Sequence, residues 1–213
     1  MRLIPSDTDV LLVIDVQNDF CSGGALAVAG GDDTVPVINR LQKHFANVVL
    51  TQDWHPAKHT SFASQHASKK PFQSVAATYG EQTLWPDHCV QGTPGAEFHT
   101  DLQRDHAQLV IRKGFRTAVD SYSAFFENDR TTPTGLIGYL RERRIDRVFL
   151  TGLATDVCVR FSAMDARNEG FDTVLALDAC RGLSDDAVNS ALTAMKEAGV
   201  RVIESFAITG LAG

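Results

Sequence analysis

What the chain lacks narrows its class first. A membrane-spanning helix needs about 20 consecutive apolar residues, yet a run such as Val10-Leu11-Leu12-Val13-Ile14 ends at Asp15, so no spanning helix is expected. An excess of positive charge is also missing. Lys and Arg total 20 against 26 Asp and Glu, a net charge of −6. That leaves no electrostatic footprint for nucleic acid and disfavours an anionic membrane surface as partner. Cysteine is sparse: Cys21, Cys89, Cys158 and Cys180 contain no C-x-x-C pair and are too few and scattered for a disulfide framework. Free thiols and a cytoplasmic location are the expectation. The opening residues, interrupted by Pro5, Asp7 and Asp9, do not read as a secretory signal. Internal repeats, low-complexity tracts and linkers are absent as well. The glycine-rich stretch Gly23–Gly31 lacks both G-x-G-x-x-G and G-x-x-x-x-G-K-[ST], which argues against a phosphate-binding loop. Leu26 and Val28 alternate with alanine there, and a small hairpin at a pocket mouth is the plainer expectation.

What is present fits one domain over residues 1–213. Hydrophobic residues make up 44% of the chain and charged residues 22%, as expected for a globular protein with a sizeable core. Apolar runs at 9–15, 47–52, 107–112, 147–152, 172–177 and 200–203 alternate with helical patterns. These begin at Asp32-Asp33 and run to about Phe45, then span 133–143 (with Pro133 in the first turn), 156–169 (ending at Gly170) and 184–199. Such alternation implies an α/β fold with a mostly parallel sheet covered on both faces. Residues 53–106 break the rhythm. They are irregular and rich in Gln, Pro and Gly, and four of the seven histidines, His55, His59, His66 and His88, fall between 53 and 88. An insertion of this length in a compact domain is usually functional or disordered, and its aromatic and histidine content disfavours disorder.

Chemistry gathers where the strands end. Asp15, Lys113 and, after a short turn, Cys158 each follow an apolar run, and Asp53-Trp54-His55 closes another. In a parallel sheet all would emerge at the carboxyl edge, where open α/β sheets bind ligands. Thr155 or Asp156 can cap a helix that carries Cys158 in its first turn, a place that favours a thiolate. Neighbouring N–H groups could hold an oxyanion. Taken alone, Cys158 also reads as a small buried apolar residue, Asp15 as a turn residue and Lys113 as a solvated lysine. Together they make a nucleophile, a base and a cation. Asp53 and His55, two apart in an extended segment, face one side. With His88 they make a His₂-carboxylate set suited to Zn²⁺, Fe²⁺ or Mn²⁺. His59 is open as a fourth ligand or a supporting partner. His44, His66, His99 and His106 read more simply as solvated side chains.

Six stretches together resemble the nicotinamidase (pyrazinamidase) family of isochorismatase-like cysteine hydrolases. They are Ile14-Asp15-Val16-Gln17-Asn18-Asp19-Phe20-Cys21, Gln52-Asp53-Trp54-His55-Pro56, Ser61-Phe62-Ala63-Ser64, Leu84-Trp85-Pro86-Asp87-His88-Cys89-Val90-Gln91-Gly92, Arg112-Lys113-Gly114 and Gly152–Val159. The resemblance implies an isochorismatase-like, Rossmann-like three-layer α/β/α fold and the deamidation of nicotinamide to nicotinate and ammonia, with pyrazinamide as a further substrate. It implies a catalytic Asp15–Lys113–Cys158 triad and one divalent metal (Zn²⁺, Fe²⁺ or Mn²⁺) on Asp53, His55 and His88. It also implies a cis peptide at Leu153–Ala154 and an oxyanion hole at the N–H groups of Ala154 and Cys158. Phe20, Trp85, Leu153 and Tyr122 would contact the substrate, and the physiological role would be NAD salvage. Val157 stands where some members carry a histidine. A homo-oligomer stays open. The runner-up is another small-amide hydrolase of the same superfamily. From a different class, the rival is a catalytically silent metal-binding scaffold.

Overall fold

Six of the apolar runs become strands of one sheet. In the computed structural model, which describes residues 3–208, the strands in chain order are β1 (Asp9–Ile14), β2 (Asn47–Asp53), β3 (Ser74–Ala77), β4 (Gly80–Thr83), β5 (Leu109–Lys113), β6 (Arg147–Leu153), β7 (Asp172–Arg181) and β8 (Arg201–Ile203). The main sheet has the order β5-β2-β1-β6-β7-β8, and each neighbouring pair runs parallel. The helices are α1 (Thr34–Gln42), α2 (Leu136–Glu142), α3 (Arg160–Asn168) and α4 (Asp185–Glu197).

Strand periodicity sorts the side chains into two cores. Leu11 and Val13 of β1 pack with Val35, Ile38 and Leu41 of α1. Val10, Leu12 and Ile14 pack on the opposite face with Leu136 and Leu140 of α2, Ala163 and Ala166 of α3, and Ala191 and Met195 of α4. Burial on both faces is why the central strands read as unbroken apolar runs rather than alternating ones. The result is the three-layer α/β/α arrangement. The chain leaves β1 toward β2 on one side and returns through β6 on the other, so β1 and β6 flank the switch point where a crevice opens.

Several boundaries differ from the sequence expectation, each for a local reason. The 133–143 helix starts only at Leu136: Gly135 adopts φ 101° as its N-cap, and Pro133 instead bridges to Phe126. β7 runs on to Arg181 because Cys180 pairs with Gly152 beyond a register shift in β6. The helix expected from 156 opens with one π-helical turn, Thr155–Val159, without a side-chain cap. Ser184 does cap α4, its hydroxyl accepting from the Ala187 N–H at 3.3 Å. The hairpin expected at Gly23–Gly31 is a series of turns. An unexpected hairpin, β3 with β4, lies inside the 53–106 insertion. The Leu153–Ala154 peptide is cis. No helix among the described residues is long and apolar enough to cross a membrane.

Candidate active site

Asp15 sits one residue past β1 with φ 47°, and Thr51 of the neighbouring strand fixes it there. The Asp15 N–H donates to Thr51 Oγ1 at 3.1 Å, and the Thr51 hydroxyl donates to Asp15 Oδ1 at 2.6 Å. Lys113 ends β5 directly beside Asp53, its register partner on β2. Its ammonium is fully buried. It lies 2.8 Å from Asp15 Oδ2 and 3.0 Å from Asp53 Oδ1, and donates to Ser121 O at 2.9 Å and to Cys158 Sγ at 3.5 Å. Three groups from three strand ends therefore share one ammonium.

The electrostatics follow from that crowding. Burial alone would lower the Lys113 pKa, but Asp15 and Asp53 hold it well above the ordinary lysine range. Burial pushes the Asp15 carboxyl up, against the pull of Lys113 and with help from Asp53. Burial likewise raises the Cys158 thiol well above its usual value, opposed by Lys113 and reinforced by the two carboxylates. The helix-start argument pointed to a thiolate. These surroundings favour a neutral thiol beside a carboxylate of raised basicity, because burial disfavours both anions more than the Lys113 ammonium favours them.

Next to the triad, Asp53, His55 and His88 bring one ligand atom each within 4.8 Å of one another, all three residues buried. His55 Nε2 is 3.1 Å and His88 Nε2 3.5 Å from Asp53 Oδ2. The other ring nitrogens decide what these can do. His55 Nδ1 lies 2.9 Å from Gly114 O, and His88 Nδ1 2.7 Å from Pro86 O. A carbonyl only accepts, so each Nδ1 carries the proton and each Nε2 lone pair faces the carboxylate, the arrangement that metal-ligating histidines use. A divalent cation fits these donors. Asp53, which also pairs with the Lys113 ammonium through Oδ1 at 3.0 Å, turns Oδ2 toward both histidines. Its backbone is clamped by Gln17, whose Oε1 accepts from Asp53 N–H at 2.7 Å and whose Nε2 donates to Asp53 O at 2.8 Å.

Two other groups of suitable residue types fare worse. His59 has Nδ1 at 2.7 Å from Ser61 Oγ and Nε2 at 3.3 Å from Val119 O, so its site with His55 and Asp120 has no free nitrogen from His59. Cys21, Asp32 and His99 also converge, and His99, expected as a solvated side chain, pairs with Asp32 at 3.3 Å. Its Nδ1, however, accepts from the Asp101 N–H at 3.1 Å. The proton must then sit on Nε2, which donates to Asp32 and has no lone pair for a metal.

A narrow cleft opens over these groups. Phe20, Trp85, Tyr122 and Ala154 line it together with Asp53, His88 and Cys158. Leu153, expected to contact a substrate, is fully buried behind this wall in the cluster with Phe20 and Trp85, and is not a lining residue. Leu26, Asp120, Val157 and Leu183 also line the cleft. Asp120 and Leu183 are not among the residues expected from sequence, whereas Leu26 belongs to the stretch expected at the pocket mouth. Leu183 is brought in by Asp156, whose Oδ1 accepts its N–H at 3.0 Å.

The model of the isochorismatase domain matches residues 9–206. The chain belongs to the isochorismatase family. Among similar members, the nicotinamidase of Acinetobacter baylyi is 49% identical over 206 residues, covering 96% of each chain. The structure of an Acinetobacter baumanii nicotinamidase/pyrazinamidase superposes with a TM-score of 0.92 at 52% identity, covering 94% of this chain and 97% of that one. The pyrazinamidase of Pyrococcus horikoshii, solved in complex with zinc, gives a TM-score of 0.77 at 35% identity, covering 92% and 99%. The isochorismatase fold thus extends over nearly all of the chain, with its nicotinamidase members similar from end to end.

Proposed function

We propose that this protein is a nicotinamidase. It hydrolyses nicotinamide to nicotinate and ammonia, and accepts pyrazinamide, through a thioester on Cys158. The observation that carries the reading is the shared ammonium of Lys113, 2.8 Å from Asp15 and 3.5 Å from Cys158, at the base of an aromatic-walled cleft in a chain so similar to nicotinamidases.

Asp15, made more basic by burial, takes the thiol proton as sulfur attacks the carboxamide carbon. The backbone N–H groups of Ala154 and Cys158 hold the oxyanion. When the C–N bond breaks, Asp15 returns the proton to the departing amine, releasing ammonia. Asp15 then deprotonates a water that attacks the thioester, and the thiolate leaves and regains its proton from the same carboxyl. Lys113 keeps the charge of Asp15 and the sulfur compensated throughout. Phe20 and Trp85 grip the ring by its faces. Asp53, His55 and His88 would hold a divalent cation, Zn²⁺, Fe²⁺ or Mn²⁺, which supplies a Lewis acid able to fix a ring nitrogen and so orient the amide. Four buried free thiols suit a reducing cytoplasm, and nicotinate formation would feed NAD salvage.

Ammonia release from nicotinamide by the purified, metal-loaded protein is the direct test. Cys158→Ala is expected to lower kcat by about three orders of magnitude or more, with an unchanged far-UV spectrum. Undiminished turnover by that variant would refute the nucleophile.

A further inference from the structure

Asp156 carries a carboxylate that the reaction above does not use. It stands two residues before Cys158 in the π-helical turn Thr155–Val159, and that turn has no side-chain cap. The carboxylate expected to cap its own helix instead reaches 27 residues along the chain, where Oδ1 accepts the Leu183 N–H at 3.0 Å. Gly182 makes this approach possible. A Cβ there would stand 2.6 Å from Asp156 Oδ1 and closer still to the Val188 side chain, so only a residue without one lets the chain leaving β7 lie this near the turn. Leu183 thereby packs on the cluster of Phe20, Leu26 and Trp85. It lines the cleft with Cys158 and with Val157, the residue that follows Asp156. One turn therefore carries the nucleophile, one wall residue and the clamp that holds a second.

We propose that Asp156 is a positioning residue: by accepting the Leu183 N–H it fixes the Leu183 side chain against the substrate ring, at a set distance from the Cys158 sulfur. The inference rests on the amidase reading above and adds a residue to substrate binding. Leu183 lies in the connection between β7 and α4, outside any ladder that would order its backbone. Such a segment keeps conformational freedom unless something holds it. A carboxylate acceptor holds it more firmly than a neutral one, because hydrogen bonds to an ionised group are the stronger kind. With the wall already formed, the ring need not order the loop on entering, and binding is tighter for it. An apolar contact to the ring changes little while the carboxamide reacts, so it stabilises bound substrate and transition state alike. Its loss therefore raises KM and leaves kcat in place.

The test measures KM and kcat for nicotinamide with the full, metal-loaded chain. Asp156→Ala should raise KM by about three- to tenfold, as a partly lost apolar contact does, with kcat changed by less than about twofold. Asp156→Asn removes the same charge near the thiol but keeps an oxygen that can accept, and should bind substrate as the wild type does. Leu183→Ala should raise KM by a similar factor, and adding Asp156→Ala to it should raise KM no further. An unchanged KM in folded Asp156→Ala overturns the proposal. So do equal losses in Asp156→Asn and Asp156→Ala, fully additive effects in the double variant, or a fall in kcat with KM unmoved, which would give Asp156 a role in the nucleophile's turn instead. If Asp156→Ala does not fold, Asp156→Glu, which keeps the charge and displaces the acceptor, decides by the same rise in KM. Wild-type protein that releases no ammonia from nicotinamide would remove the amidase reading itself, and this inference with it.

Discussion

Two carboxylate–imidazole pairs of the same residue types end up with opposite chemistry. Asp53 and His55 meet at 3.1 Å, Asp32 and His99 at 3.3 Å. In the first pair the imidazole donates its Nδ1–H to the Gly114 carbonyl, and in the second Nδ1 accepts a hydrogen bond from the Asp101 N–H. The far nitrogen is thereby a lone pair in one case and an N–H in the other. Burial reinforces the split: the His55 and Asp53 side chains are 1% and 6% exposed, those of His99 and Asp32 17% and 38%. Residue composition alone would nominate both as metal sites. What separates them is the backbone partner behind each ring, which sets the tautomer.

The largest effect expected from this difference is on metal content. His88→Ala should lose more affinity for Zn²⁺ than the roughly 10–100-fold that removal of a supporting group costs, while His99→Ala should keep the wild-type stoichiometry. Equilibrium dialysis of both variants against zinc reads this directly. A drop in bound zinc in His99→Ala would mean that the half-exposed cluster is a site after all.

Next in size is the backing of His55. Gly114 has φ +68°, and a Cβ there would stand 2.5 Å from His55 Cε1, closer than nonbonded carbons approach. Gly114→Ala must push the ring away from the carbonyl that fixes its tautomer. About a 10–100-fold loss in zinc affinity is expected, with the reactivity of Cys158 toward a thiol reagent preserved. Unchanged affinity would mean that the ring holds its place without that carbonyl.

These supporting groups were the part least legible in the sequence. Asp15, Asp53 and Lys113 could be read because parallel strands deliver their C-terminal residues to one edge, and a five-residue apolar run ending in a charge is visible in one dimension. His55 followed from the two-residue period of extended chain. Gln17 and Gly114 could not be singled out, because their partners lie far off in the chain: Gln17 clamps the backbone 36 residues away, and Gly114 receives a ring 59 residues away. Asp120 and Leu183 reach the cleft from irregular segments with no periodicity to mark a face. The β3–β4 hairpin was hidden for a related reason. Only Gln82 of its strand residues is fully buried, so they carry little of the apolar alternation that reveals a half-buried strand. The expected hairpin at Gly23–Gly31 failed in the opposite sense. Leu26 and Val28 are buried, but glycines at both ends turn the chain before it can pair.

The smallest effect sharpens the comparison from the exposed side. Asp32 is held down to about 2, first by the Ser22 hydroxyl, then by the Ser22 N–H. These contacts are 2.5 and 3.0 Å to Oδ2, so Asp32 is stabilised as an anion by the loop that carries it and needs no cation. A carboxyl depressed in the folded state contributes stability above its unfolded pKa, near the ordinary value of 3.8, and loses it as pH falls from there through about 2. Ser22→Ala removes the larger contact and leaves the smaller, so the Asp32 pKa should rise part of the way toward its ordinary value. The wild-type protein should then be slightly the more stable near neutral pH, with the gap closing in acid, and zinc binding should be the same in both. Carboxyl-carbon NMR titration measures the shift at the residue itself. An Asp32 that titrates normally in the wild type would show that the Ser22 contacts do not satisfy it, and would reopen the question of what does.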